Sequence, residues 1–595
     1  MTMPAPTAEQ QVFIDHVGGA FVEACPGAGK TRAIVSRVQQ ISQGLPTRKG
    51  VAVLSFTNTA VDEFKQRCFA LDIDSALKHP GYIGTFDSFL RHFFVLPGGI
   101  PGTYARPHVV DSWDTLGIDE VRLSGTNAFA GPGVSLDRFN PFDNTINPDT
   151  INHAGLKAHV QANKIAYERI AGSYRNALRN NGNLSAADAR IVALENLGQA
   201  GWSEALGQAL SARFSEIIVD EAQDCNHIDL GLLEWLKECG IAVTVVCDPD
   251  QAIYGFRQGN PAELLDFRSK YNNSDRLQIT GNFRSSSPIC SIAATLRDRA
   301  DPDTPLGEHG EIDTPIQLLE YRGASAAPTV GEKFIDLTSA LGICNDQSYI
   351  LSHSRKAALQ ASGHSNLASA GGTSSTAKMA RAVSSFWSSS GSGKNREFAL
   401  RHVEKLLLQI MDKIEDNEPV QKAIERNELN VRWLRRIALE LLTALPKTCE
   451  HSDAGRDIWV TALQTSVREL GVEYGNGKTE TNFFTRRGSN DWSKALQENL
   501  APTISCATVH EAKGREYDAV CLVVSPNRAP QSYTEQLFDA WENRTNDEAK
   551  RVAYVAITRA KKFAAIAVPT AYCGRLKEIL DGAGVPWELH DLTGQ

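Results

Sequence analysis

"FVEACPGAGKT", Phe21 to Thr31, reads as a short strand, a glycine-bearing turn and the start of a helix. The run Phe21–Ala24 is too short for a buried helix and suits a strand of a parallel sheet. Gly27 and Gly29 permit a tight turn whose backbone N–H groups converge on anionic oxygens. Lys30 adds positive charge for terminal phosphates, and the Thr31 hydroxyl suits Mg²⁺. The stretch Ala24, Cys25, Pro26, Gly27, Ala28, Gly29, Lys30, Thr31 and Arg32 is therefore a candidate phosphate cradle. It departs from the strict pattern once, because Ala24 stands where a glycine is usual, and Pro26 removes one donor.

Working outward, five more apolar runs end in polar residues: "VAVLSFTN", "EIIVDEAQD", "IAVTVVCDPD", "AVCLVVS" and "FAAIAV". Each is short and most are rich in Val or Ile, as in strands covered on both faces by helices. Helical patterns lie between many of them, which predicts α/β architecture with ligands at the carboxyl ends of strands. The runs cluster near 20–95, 214–280, 345–352 and 504–568. Two long stretches between them lack such runs. The first contains "HAGLKAHVQANKIAYERIAGSYRNALRN". The second opens with a Ser/Gly-rich segment, Ala361 to Gly393, expected to be a mobile loop, and continues with "EFALRHVEKLLLQIMDKI" and "VRWLRRIALELLTAL". The expected plan is two α/β domains, each interrupted by a mainly helical insertion. The first domain takes 1–96 and 211–277 around an insertion at 97–210. The second takes 278–360 and 501–595 around one at 361–500.

The 595 residues carry a net charge of −9 and are 42% hydrophobic, an ordinary globular composition that leaves room only for a local basic groove. Eleven scattered cysteines without a Cys-x-x-Cys pair predict reduced, mostly buried thiols. The N-terminus lacks the parts of a signal peptide, and no apolar run approaches the ~20 residues of a membrane span. A soluble, cytoplasmic protein with no membrane partner is the expectation.

Asp220 and Glu221 in "IIVDEAQD" are adjacent carboxylates at a strand end. The first suits Mg²⁺ coordination and the second polarisation of an attacking water. Arg284 in "GNFRSS" and Arg559 in "YVAITRAKK" are candidates to neutralise charge on a departing γ-phosphate.

In order, "TAEQ", "ACPGAGKT", "LSFTNTAVDEF", "GTFDSF", "VDEAQD", "CDPDQAIYGFR", "NFRSSSPI", "TVHEAKGREYDAV" and "VAYVAITRAKK" resemble the motif series of the UvrD/Rep family of superfamily 1 DNA helicases. The resemblance implies two RecA-like motor domains and carries roles onto matching positions. Gln10 falls where the family reads the adenine edge, Phe283 where an aromatic stacks on the base, and Glu516 near the ribose. Lys30 and Thr31 take the phosphates and Mg²⁺, Asp220 the Mg²⁺, and Glu221 the catalytic base. Gln251 senses the γ-phosphate, which Arg284 and Arg559 contact.

For DNA, Phe56, Tyr254 and Phe256 match aromatics that stack on single-stranded bases, a sequence-tolerant contact. Thr57, Asn58, Thr85, Arg257, Thr508 and His510 match positions that touch the backbone or link the sites, although His510 suits a structural histidine equally well. Two departures stand out. Asp87 replaces the usual His in "TFDS" and puts one DNA contact in doubt, and Cys247 replaces a usual Gly.

The resemblance implies an ATP- and Mg²⁺-dependent motor moving 3′ to 5′ on single-stranded DNA. It would unwind single/double-strand junctions in repair, recombination or anti-phage defence, by closure of its motor domains around ATP. A second reading is an ATPase or DNA-sensing subunit of a complex with a separate nuclease, prompted by the acidic charge, a short second insertion and no acidic nuclease-like cluster after "ITRAKK". An RNA helicase is a third.

Overall fold

The computed structural model describes residues 5–110, 113, 120–124, 129, 133–151, 153–253, 261–297, 302–323, 329–363, 374–387, 393–414, 420–427, 429–446, 453–485, 504–526 and 532–594. Contacts divide the chain into two units. Unit 1 is Met1–Asp313 with Asn543–Thr558, and unit 2 is Thr314–Glu542 with Arg559–Gln595.

Unit 1 is built on a six-stranded parallel sheet. Its strands are β1 (Phe21–Ala24), β2 (Gly50–Ser55), β3 (Tyr82–Thr85), β4 (Phe214–Asp220), β5 (Ala242–Cys247) and β6 (Arg276–Ile279), in the order β3-β2-β4-β5-β1-β6. Successive side chains face opposite layers. Phe21, Leu54, Ile217 and Val219 enter one core, and Val22, Val53, Ile218 and Val246 the other. Burial on both faces explains why these strands read as continuous apolar runs. Across one layer the buried Arg37 guanidinium donates to Glu216 and to the carbonyls of Phe13, His16 and Gly18, fixing the helix Lys30–Gln43 that follows the phosphate loop.

Unit 2 repeats the plan. Its strands are β7 (Ile316–Tyr321), β8 (Ser348–Ser352), β9 (Ser505–Thr508), β10 (Tyr517–Val523), β11 (Ala560–Pro569) and β12 (Trp587–Asp591), all parallel, in the order β9-β8-β10-β11-β7-β12. Counted from its own first strand, each sheet runs 3-2-4-5-1-6, so the expected pair of RecA-like α/β sheets is present.

The stretch between β3 and β4 includes helices Ala154–Ala162, Lys164–Asn180, Ala186–Leu197 and Trp202–Arg213 and a small parallel pair, His108–Val110 with Asn183–Ser185. The described residues between β8 and β9 are mainly helical, with a core that includes Leu406, Leu441 and Trp459.

Two expectations need correction. The Ser/Gly-rich segment is not a loop throughout: Ser375–Trp387 is a helix, because Met379, Val383 and Phe386 recur at helical spacing and are buried against neighbouring helices. The unit boundary also lies after Asp313 rather than after 277. A two-stranded pairing of Gly281–Asn282 with Thr304–Pro305 ties the intervening chain to the phosphate loop. Among the described residues, no helix is long and apolar enough to cross a membrane.

Candidate functional site

Four neighbouring strands of unit 1, β4, β5, β1 and β6, deliver the candidate residues from their carboxyl ends, where ligands of open α/β sheets bind. After β1 the loop turns through Gly27 (φ 74°) and Gly29 (φ 68°), left-handed conformations that only glycine adopts at little cost. Gly29 caps the helix beginning at Lys30, so that helix's first N–H groups face the loop. Three contacts brace the loop. Cys25 N–H donates to Ile279 O at 3.1 Å, Phe283 N–H to Gly27 O at 2.8 Å, and Gln10 Nε2 to Ala28 O at 2.8 Å. Gln10 also forms a capping box with Thr7, which fixes its amide at the loop's edge.

The charges meet here. Lys30 Nζ lies 3.4 Å from Glu221 Oε1. Burial works against the ammonium, but Glu221, Asp220 and Asp248 outweigh it and raise the Lys30 pKa. Glu221 holds a left-handed backbone (φ 57°) immediately after β4, and Gln223 Nε2 donates to its other oxygen. Asp220 is buried, and its Oδ1 has no hydrogen-bond partner. Burial first, then Glu221, pushes its carboxyl up to about 7 against the opposing pull of Lys30. A buried carboxylate oxygen lacking a donor fits a divalent cation, and Thr31 follows Lys30 in the first turn of the loop's helix.

After β5, Asp248 gathers the next group. Its Oδ2 accepts from Gln251 Nε2 at 2.9 Å, and its own N–H donates to Gln223 Oε1 at 3.2 Å. After β6, Asn282 Oδ1 accepts the N–H groups of Arg284 and Ser285 at 2.8 and 3.0 Å, shaping the turn that presents Phe283 and Arg284 beside Gly27. Sequence reasoning missed Asp248 and Asn282. Their signal was position, since both stand in the same strand-end turns as Gln251 and Arg284.

The structure thus brings Gln10, the 24–32 loop, Asp220, Glu221, Gln251, Phe283 and Arg284 together in unit 1. Glu516 and Arg559 belong to unit 2, at the amino ends of β10 and β11. Glu516 pairs with Lys561 at 2.9 Å, and Arg559 is buried with its Nη1 3.4 Å from Arg515 O.

The candidate DNA residues sort by strand. At the β2–β3 edge of unit 1, Ser55 and Thr85 are paired in register. Half-buried Phe56 stacks on Phe86 (5.5 Å, 9°), Thr57 and Thr85 cap the helices that follow, and Asn58 is exposed. Unit 2 has the equivalent edge, with Ser352 and Thr508 in register and Thr508 in a capping box. There the His510 ring lies 6.1 Å from His353, which stacks on Tyr533 at 3.9 Å. Tyr254, Phe256 and Arg257 lie outside the described residues. Asp87 is not an unanswered negative charge: Arg190 Nη1 lies 2.7 Å from it and also binds the buried Asp229. Cys247 is fully buried in the core beneath the sheet's carboxyl edge.

Two parallel sheets of one strand order, with a phosphate loop and a strand-end acidic pair in the first unit, define a RecA-like α/β phosphate-loop protein. The model of the UvrD/REP helicase N-terminal domain matches residues 6–95 and 140–272, and that of the UvrD-like helicase C-terminal domain matches 327–568. The chain belongs to the UvrD/Rep-like helicase family. It is 27% identical over 300 residues to a probable DNA helicase II homolog of Mycoplasma capricolum, covering 48% of this chain and 39% of that one. It is 25% identical over 301 residues to the putative ATP-dependent DNA helicase YjcD of Bacillus subtilis (48% and 37%). It is 26% identical over 329 residues to the ATP-dependent DNA helicase PcrA of the same organism (53% and 42%). The matched stretches thus span well under two thirds of these relatives' lengths.

Proposed function

We propose that this chain is a DNA-dependent ATPase that moves 3′ to 5′ along single-stranded DNA and unwinds duplex at single/double-strand junctions. The observation that carries the reading is the Lys30–Glu221 pair at 3.4 Å beside the donor-less oxygen of Asp220, at the mouth of a braced phosphate loop. The loop's N–H groups and Lys30 hold the phosphates, Gln10 and Phe283 border the base, and Glu221 takes the proton of the attacking water. Thr31 and Asp220 would hold Mg²⁺, which supplies charge neutralisation on the phosphate oxygens. Gln251 and Arg284 orient the γ-phosphate end. The parts of Arg559 and Glu516 rest on the family resemblance. Phe56, Thr57, Asn58 and Thr85 in unit 1, and Thr508 and His510 in unit 2, form the nucleic-acid edges of their sheets. The pathway served is DNA repair, recombination or anti-phage defence.

The test is ATP hydrolysis by the full chain with and without single-stranded DNA or RNA, together with strand displacement on duplexes bearing 3′ or 5′ tails. Stimulation by DNA, displacement from 3′ tails, and loss of both in Lys30→Ala are expected. Unimpaired hydrolysis by Lys30→Ala refutes the site assignment, stimulation by RNA alone refutes the substrate, and displacement from 5′ tails alone refutes the polarity. Strong hydrolysis without displacement would instead support a role inside a nuclease-containing complex.

A further inference from the structure

The helix Glu548–Ile557 lies far along the chain from β5, yet it is held in unit 1 at both ends of the Gln251 turn. Arg551 Nε donates to Ala252 O at 2.7 Å, one residue beyond Gln251. The Tyr554 hydroxyl donates to Asp248 Oδ2 at 3.1 Å, three residues before it. That same oxygen accepts Gln251 Nε2 at 2.9 Å. The single turn Pro249–Gln251 is therefore clamped on both sides by one helix. At the end of this helix, Thr558 O accepts Arg284 Nη1 at 3.0 Å, and Arg284 adjoins the residue whose N–H is bonded to Gly27. Tyr554 is fully buried, and burial with Asp248 beside it raises the phenol's pKa well above its ordinary value. It therefore remains a donor at any working pH.

We infer that Tyr554 is a positioning residue for ATP hydrolysis: its hydroxyl fixes Asp248, Asp248 fixes the Gln251 amide, and the helix carries the state of that turn along the backbone to Arg559. The inference rests on the ATPase reading above. The chain on both sides of 543–558 belongs to unit 2, so a shift of the Gln251 turn reaches that unit through covalent bonds as well as through whatever the unit binds. A tyrosine serving only to fill the core would need its ring and not its hydroxyl.

Tyr554→Phe separates the two, because it keeps the ring and removes the donor. In the full chain, kcat for DNA-stimulated hydrolysis should fall about tenfold while the KM for ATP stays within about twofold. Combined with Gln251→Ala, the variant should be no slower than Gln251→Ala alone, since both act through one group. Full DNA-stimulated turnover in Tyr554→Phe, or losses that multiply in the double variant, would overturn the inference. If Tyr554→Phe does not fold, as judged by circular dichroism and thermal melting, Arg551→Gln releases the other end of the clamp and is read the same way. A wild-type chain without stimulated hydrolysis removes the ATPase reading itself, whereas an active wild type matched by Tyr554→Phe removes only this inference.

Discussion

The Lys30 ammonium and the Glu221 carboxylate lie 3.4 Å apart, one at the start of a helix and the other in a left-handed residue just past β4. On the proposed reading, the contact places the group that would bind phosphate next to the group that would take a proton. Glu221→Gln keeps the shape and a hydrogen-bond partner but removes the base. ATP turnover should fall about 100-fold or more while nucleotide binding persists. Fluorescent-nucleotide titration and single-turnover hydrolysis separate the two, and a variant that loses binding and turnover together would assign Glu221 to substrate holding instead.

Gly27 tests how closely the loop is braced. A Cβ there would lie 2.5 Å from Arg284 Cβ and 2.6 Å from Asn282 Oδ1, on a backbone with φ 74°. Gly27→Ala should cost about 1–3 kcal/mol of stability from backbone strain and weaken nucleotide binding. Chemical denaturation and nucleotide titration check this, and an unchanged midpoint would mean that the Asn282–Arg284 turn moves freely away from the loop.

The Arg37–Glu216 pair makes a stability prediction independent of chemistry. Both side chains are buried, and Thr244 Oγ1 also donates to Glu216 at 2.5 Å. Glu216→Ala strands a buried guanidinium and should destabilise the chain by about 3–5 kcal/mol. Arg37→Met with Glu216→Leu should lose less, because no charge is left unpaired. Urea denaturation of the three proteins checks the order.

These predictions draw on two kinds of residue. Lys30, Asp220 and Glu221 stood out in the sequence as candidates because the chemistry proposed for them calls for particular side chains at strand ends, and the strands announced themselves as apolar runs. Asp248 and Asn282 were not legible as partners, since an acid or an amide in a turn is usually solvated. The Tyr554–Asp248 bond joins residues 306 positions apart, and no local pattern reports such a contact. The same holds for Asp87, which reads as a repulsive charge until Arg190 is brought against it. The helix Ser375–Trp387 was obscured by composition, because its Ser and Gly neighbours outweighed the apolar stripe.

Asp87 also yields a binding prediction. Its carboxylate is half exposed, and Arg190 remains paired with Asp229 without it. Asp87→Ala should therefore cost under about 1 kcal/mol of stability. Because one negative charge leaves the surface near Thr85, affinity for single-stranded DNA should rise at low salt, and the gain should shrink as salt is added. Fluorescence anisotropy over a salt series reads this directly, and weaker binding at every salt concentration would show instead that Asp87 orders a DNA contact.

Buried thiols should make stability fall on the alkaline side. Burial pushes Cys68 and Cys573 up to about 11 and Cys290 and Cys521 up to about 12, against 9.0 for a free thiol. Above pH 9 the unfolded chain releases these protons while the folded chain keeps them, so stability falls as pH rises from 9 toward 12. Cys521 is the clearest case, and by pH 10.5 its share is about 2 kcal/mol. Cys521→Ala should lower the melting temperature near neutral pH yet flatten its decline between pH 9 and 10.5. Under native conditions at pH 8, the exposed Cys344 should react with a thiol reagent well before these four. Equal slopes for wild type and variant would mean that Cys521 ionises as readily in the folded chain as in the unfolded one.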